Sequence, residues 1–165
     1  MVSTRNDGDD RDVSTSAHQP GDAEELSQLV SRCFVWMEAF DRRALSLVTP
    51  PLTTPQYHAL DALAQKPGLS LGELATQLLT VKSNASGIVD RLKDMGLCES
   101  NEDPVDARRI RLTLTVAGTA TLRHAHDARR TALLCTFPAT EPQHILLLTE
   151  LLRNLSDVLQ RAVEA

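Results

Sequence analysis

Aromatic side chains are scarce: three Phe, one Trp and one Tyr in 165 residues. A protein that holds single-stranded nucleic acid by stacking bases needs a platform of such rings, and none is visible. No run of about 18 apolar residues occurs, which excludes a membrane-spanning helix. Residues 1–21 contain no apolar segment of the kind a secretory signal carries, so a cytoplasmic protein is expected. Cys33, Cys98 and Cys135 are odd in number, far apart and free of any C-x-x-C spacing, which predicts free thiols and no disulfide framework. G-x-S-x-G, H-E-x-x-H, P-loop and dinucleotide fingerprints are absent, so no enzyme and no cofactor is expected. His124 and His126 stand two apart and point to different sides of a helix, so no metal site is read from them.

What the chain does have is a globular share of apolar residues, 42%, and an uneven charge distribution. The net charge is −5, and residues 1–25 carry all of it, with Arg5 and Arg11 set against seven carboxylates. Residues 26–165 hold 15 charges of each sign. Affinity for a polyanion depends on the local field, so a neutral body with clustered arginines can still present a positive face.

Residues 1–22 are polar and acidic and read as a disordered tail. A long helix is expected from Glu24, with Leu26, Val30, Cys33, Met37, Phe40, Ala44 and Leu47 forming a heptad-like seam that Pro50 and Pro51 end. Thr54-Pro55 reads as an N-cap and first helical residue for a second helix, with Leu60, Leu63 and Ala64 inward. Ser70 and Glu73 have capping-box spacing and open a third. Thr80 is a plausible cap for a fourth over residues 81–95, which would bury Ala85, Ile88, Val89 and Leu92 and end at Gly96. Residues 97–101 and 109–114 are expected to pair as strands. Thr115 caps a helix to about Thr136, and Thr140 with Gln143 forms a second capping box before a final helix with Leu148, Leu151, Leu152, Leu155, Val158, Leu159 and Ala162 on one side. The expected fold is mainly α with a small β wing, in the order α-α-α-α-β-β-α-α. It is a winged helix-turn-helix over residues 53–115, inside a domain of residues 23–165 whose segments 23–50 and 116–165 are dimerisation helices. The two terminal helices carry more apolar surface than one small domain can cover, and a second copy would bury it symmetrically.

The fourth helix would expose Lys82, Ser83, Asn84, Ser86 and Arg91. Small polar side chains at a helix start permit close approach to base edges in a DNA major groove, where Asn suits adenine and Ser several bases. Lys82 suits a phosphate. Arg108, Arg109 and Arg111 fall within four residues at the hairpin, and a guanidinium suits a narrow minor groove. Asp106 is placed to brace Arg108 or Arg109.

Several runs in this order carry a family resemblance: Leu52-Thr-Thr-Pro-Gln-Tyr57, Glu73-Leu-Ala75, Ser83-Asn-Ala-Ser-Gly-Ile-Val-Asp-Arg-Leu92, Gly96-Leu97, Asp103-Pro-Val-Asp-Ala-Arg108 and Leu114-Thr-x-x-Gly118. Together they resemble the MarR family of bacterial transcription regulators, from about Leu26 to Ala165. The resemblance implies a homodimer on a palindromic operator in double-stranded DNA, usually a repressor. It places the wing arginine at Arg108, the acidic partner at Asp106 and the helix contacts around Ser83, Asn84 and Ser86. Ser100, Ala107 and Gly87 stand where relatives often carry basic residues, which implies a weaker salt dependence of binding. The resemblance also implies release by a small phenolic or aromatic ligand, with Trp36, Phe40, Arg43, Tyr57 and His58 as candidate lining. Two alternatives remain open: a thiol-based redox sensor through Cys33, and a protein-interaction dimer of the same fold that does not bind DNA.

Overall fold

The computed structural model describes residues 20–103, 110–136 and 141–164. The acidic tail before Pro20, the hairpin residues Asp106, Ala107, Arg108 and Arg109, and the anticipated breaker and cap Pro138 and Thr140 lie outside the described residues. The elements are α1 (Pro20–Leu45), α2 (Thr54–Gln65), α3 (Leu71–Gln77), α4 (Lys82–Asp94), β1 (Cys98–Glu102), β2 (Ile110–Leu114), α5 (Val116–Thr136) and α6 (Pro142–Glu164). This is the anticipated order. The chain divides into two units, residues 1–38 and 39–165, with α1 crossing the boundary.

Helix α1 departs from expectation at both ends. It starts at Pro20, so residues 20–22 are helical and do not belong to an unstructured tail. It stops at Leu45, before the prolines are reached. Beyond that point the amides of Leu47 and Val48 bond three residues back, and the Leu52 amide takes the Leu45 carbonyl. The tightened turn sends Val48 into the core and leaves Leu47, a member of the anticipated seam, 78% exposed.

The cap of α2 is Thr53, not Thr54. Its hydroxyl accepts from the Gln56 amide, and the Gln56 side chain accepts from the Thr53 amide at 2.9 Å. Pro55 is tolerated in the first turn because the amide it lacks has no helical partner there. Ala64, expected inward, is exposed. The Ser70–Glu73 box opens α3 as anticipated. Its backbone bond from Ser70, the leading cause, holds the Glu73 carboxyl below the ordinary glutamate range.

The core of the second unit is built from Leu45, Val48, Leu52, Tyr57, Leu60, Leu63, Leu69, Leu74, Val89, Leu92, Leu97 and Leu112, with Leu122 and Ala125 from α5. Gly96 has φ +70° and ends α4 in a Schellman motif: the Leu97 amide bonds the Leu92 carbonyl and the Gly96 amide that of Lys93, both at 2.8 Å. Thr115 then ties α5 to that turn. Its hydroxyl donates to the Gly96 carbonyl at 2.7 Å and accepts from the Gly118 amide at 2.9 Å. Gly118 lies against the strand entry so closely that a Cβ there would meet the Leu97 carbonyl oxygen at 1.9 Å. No helix among the described residues is long and apolar enough to cross a membrane.

Candidate nucleic-acid interface

Helix α4 buries Ala85, Val89 and Leu92, with Ile88 half-buried. A turn of 100° per residue then fixes the other faces. Ser83 and Gly87 point directly away from the core, followed one and two turns later by Asp90 and Asp94. Asn84 and Arg91 share one flank; Lys82, Ser86 and Lys93 share the other. Lys82, Ser83, Asn84 and Arg91 are exposed and Ser86 is half-buried. The first two turns are therefore small, polar and free of negative charge. The two carboxylates beyond them would be repelled by phosphates, which suits a helix that presents its N-terminal half.

Thr80 does not cap this helix. The N-cap is Val81, which makes no side-chain cap bond, and the Thr80 hydroxyl accepts from Asn84 Nδ2 at 3.3 Å. An amide nitrogen carries two hydrogens, so Asn84 keeps one of them and its carbonyl oxygen for a further partner while Thr80 limits its rotation. Helices α2 and α3 each start with a capping box, whereas α4 leaves its first-turn amides without a side-chain acceptor. Such a terminus favours an anion. Ser86 lies 3.5 Å from the Asp90 carboxylate, at the limit of a hydrogen bond. Gly87 has nothing within 4 Å of where a Cβ would sit, so the gap on this face is open.

The hairpin stem pairs β1 and β2 antiparallel, with Cys98 opposite Leu114, Ser100 opposite Leu112 and Asn101 opposite Arg111. Strand β1 begins one residue later than the sequence pattern suggests. The stem does not present a basic surface. Glu99 and Glu102 are exposed on β1, and Arg111 already has partners: its Nε donates to Asp103 Oδ2 at 2.6 Å and its Nη1 to the Gly68 carbonyl at 2.8 Å. The sequence identified arginine bracing by an aspartate, but the described example is Asp103 with Arg111. Asp106, Arg108 and Arg109 lie outside the described residues.

The candidate effector residues are divided between the two units. In the first unit, Trp36 is 71% exposed and Cys33 is exposed. In the second, Arg43 and His58 are exposed, Phe40 is half-buried and Tyr57 is buried. The Tyr57 hydroxyl accepts from Arg129 Nη1 at 2.6 Å, and the same guanidinium donates to both oxygens of buried Asp41 at 2.8 and 3.1 Å. Its Cζ lies 4.6 Å from the Tyr57 ring centre. Burial pushes the Tyr57 hydroxyl above its ordinary pKa, partly offset by the Arg129 charge. His126 and Asp61 pair at 3.0 Å beside the same ring. Tyr57 is thus a core residue held in a polar network. Sequence reading missed Asp41 and Arg129, which lie 88 positions apart with no local signal linking them. An apolar groove of about 440 Å³ lies elsewhere, lined by Leu79 and by Leu152, Leu155, Leu159 and Val163 of α6.

Residues 52–110 match the model of the MarR family. The transcriptional regulator HosA of Escherichia coli O111:H- is 35% identical over 69 residues, 42% of this chain and 51% of that protein, so the chain spans about half the length of such a curated relative. Among solved structures, BpsR of Bordetella bronchiseptica, described with regulation of its DNA binding by 6-hydroxynicotinic acid, superposes with a TM-score of 0.66 at 25% identity, covering 82% of this chain and 95% of that one. A MarR family protein from Bacillus stearothermophilus shares the fold with a TM-score of 0.77 at 23% identity, over 87% and 99% of the two chains. Residues 52–110 thus resemble the MarR family of transcriptional regulators, and the chain shares the fold of a solved MarR family protein.

Proposed function

We propose that the chain is a sequence-specific double-stranded DNA-binding transcription regulator that acts as a homodimer, represses from a palindromic operator and is released by a small aromatic or phenolic acid. The observation that carries DNA binding is the α4 surface: Ser83, Asn84 and Gly87 exposed over the first two turns, no side-chain cap at its start, and the apolar face locked into the core behind it. Lys82 and Arg91 on opposite flanks are suited to the two phosphate walls of a major groove. Arg108 and Arg109 would add minor-groove contacts from the wing, with Asp106 as support.

Two copies are called for by α6, whose apolar side chains are exposed along its length. The effector reading rests on BpsR, whose DNA binding responds to an aromatic acid. Arg43 and His58, exposed in this chain, are the groups with which a carboxylate would pair.

The test is a gel shift with the DNA upstream of the chain's own gene at two salt concentrations, with and without 6-hydroxynicotinic acid as probe. Binding that is selective for that fragment and weakens with salt is expected, and Asn84→Ala should reduce it by about 1–3 kcal/mol, the worth of one base-edge contact. Binding indifferent to both sequence and salt would favour an interaction module that kept the fold without the DNA contact.

A further inference from the structure

The Arg111 guanidinium bridges two separate parts of the body. Nε and Nη2 both reach Asp103 Oδ2 at 2.6 Å, and Nη1 reaches the Gly68 carbonyl at 2.8 Å. The Asp103 side chain is only 3% exposed, while that of Arg111 is 44% exposed. Asp103 follows the last residue of β1, and Arg111 is the second residue of β2. Their contact therefore fixes the two chain ends from which residues 104–109 depart. Gly68 belongs to the turn between α2 and α3, where φ is +83° and a Cβ would meet Arg111 Cδ at 3.2 Å. The same seam is stitched by backbone bonds: the Gly68 amide to the Leu112 carbonyl at 3.0 Å and the Leu112 amide to the Leu69 carbonyl at 2.9 Å.

We propose that Arg111 is a positioning residue, not a DNA contact: it clamps the wing stem to the turn that leads into the helix-turn-helix, so that wing and recognition helix approach a duplex as one rigid unit. The inference rests on the DNA-binding reading above. The residue type suits the role. A planar fork can serve the Asp103 carboxylate and the Gly68 carbonyl in one geometry, whereas a lysine ammonium is a point charge that cannot hold both. The Asp103 carboxylate is buried and favours a cation close by, which opposes release of the Arg111 guanidinium to a phosphate.

The two roles for Arg111 give opposite signs in one substitution. Asp103→Asn removes a negative charge near the DNA face. If Arg111 contacts phosphate, that change frees the guanidinium and tightens operator binding. If Arg111 is the clamp, binding weakens despite the more favourable net charge, by about tenfold, the order of one misplaced groove contact. Arg111→Lys, which keeps the charge, should weaken binding to a similar degree. The double variant should be no worse than either single one, as expected for two halves of one interaction.

Binding is read by fluorescence anisotropy on the full chain. Amide hydrogen exchange at Gly68 and Leu112 is read without DNA, where faster exchange in both variants is expected. Tighter binding in Asp103→Asn, or unchanged affinity in both variants, overturns the proposal. If the wild type binds no DNA, the functional reading fails by itself. The exchange arm then decides the clamp: faster exchange upholds it as a structural tie, and unchanged exchange removes it.

Discussion

Helices α4 and α6 are both amphipathic, yet they dispose of their apolar faces in different ways. In α4, Ala85, Val89 and Leu92 are at most 3% exposed, packed on the core of the same chain. In α6, every residue whose burial is described is exposed, and its large apolar side chains range from 37% at Leu155 to 72% at Leu146. Periodicity states that a helix needs cover, but not who supplies it. The winged body covers its own apolar faces, whereas α6 leaves its apolar surface exposed in the single chain, where the proposed second copy would cover it. Stability should therefore have two components, one intrinsic to the body and one that depends on protein concentration.

The largest expected effect lies in the body. Arg129→Met leaves the Asp41 carboxylate, 7% exposed in its side chain, without its bidentate partner and takes a donor from Tyr57. Removing one member of such a pair costs about 3–5 kcal/mol. The loss should be the same in chemical denaturation at low and high protein concentration. A loss that vanishes on dilution would place the pair in the intermolecular component and break the distinction.

Next comes the other side of the comparison. Leu155→Asp or Leu151→Asp would bury a charge in the α6 seam and should weaken self-association by about 2 kcal/mol or more, the size of an interface hot spot. Sedimentation should then show monomer where the wild type shows dimer, and the midpoint of thermal unfolding should stop rising with concentration. A persistent dimer would mean that α6 is covered by something other than a second copy of itself.

How much of this was legible in the sequence follows the range of each interaction. The α4 stripe, the Gly96 terminus, the Ser70 box and the Thr115 cap are all set by neighbours within a turn or two, and they could be read directly. The α2 cap was legible and misread: Thr53 with Gln56 has box spacing, but the Thr54-Pro55 pair also has the form of a helix start. The end of α1 was not legible, because it is decided by the Leu52 amide returning to the Leu45 carbonyl and by Val48 finding the core. The partners of Arg129 and Arg111 come from distant elements, and only folding brings Asp41, Tyr57 and Gly68 to them. Three hairpin arginines looked alike in sequence, and one of them, Arg111, turns out to be committed to a structural tie, as does Arg129, which the sequence did not single out.

A smaller effect probes the border between body and α6. Leu79 sits at the C-terminal turn of α3 with φ 49°, in a Schellman pattern where glycine is usual, and it is 77% exposed. The left-handed conformation costs a residue with a Cβ about 1–2 kcal/mol, and glycine gives back about 0.5–1 in lost flexibility. Leu79→Gly should therefore stabilise by no more than about 1.5 kcal/mol if the side chain does nothing. A net destabilisation would show that its contact along the α6 groove outweighs the backbone strain, and that the body covers part of α6 after all.

The smallest effects are chemical, and the three thiols report the two components separately. Cys98 is buried beneath α4 with its Sγ 3.8 Å from the Val89 carbonyl, and burial raises its pKa. Its protonated form is favoured in the fold, so the stability this contributes is present below the ordinary thiol range and is lost as pH rises through the raised value. The thiolate is the reactive species, and access is also blocked, so Cys98 should label at least about tenfold more slowly than exposed Cys33 and Cys135. Its rate should follow global unfolding and ignore protein concentration. Cys33 stands on the apolar seam of α1, among Leu26, Val30 and Met37, all of which are exposed in the single chain. If that seam is covered by a second copy, its labelling should slow as concentration rises, and Leu155→Asp should abolish the slowing. A Cys33 rate that is constant across concentrations would leave α1 outside the interface, free to act as a thiol sensor, and operator binding before and after peroxide, compared with Cys33→Ser, would then separate the two roles.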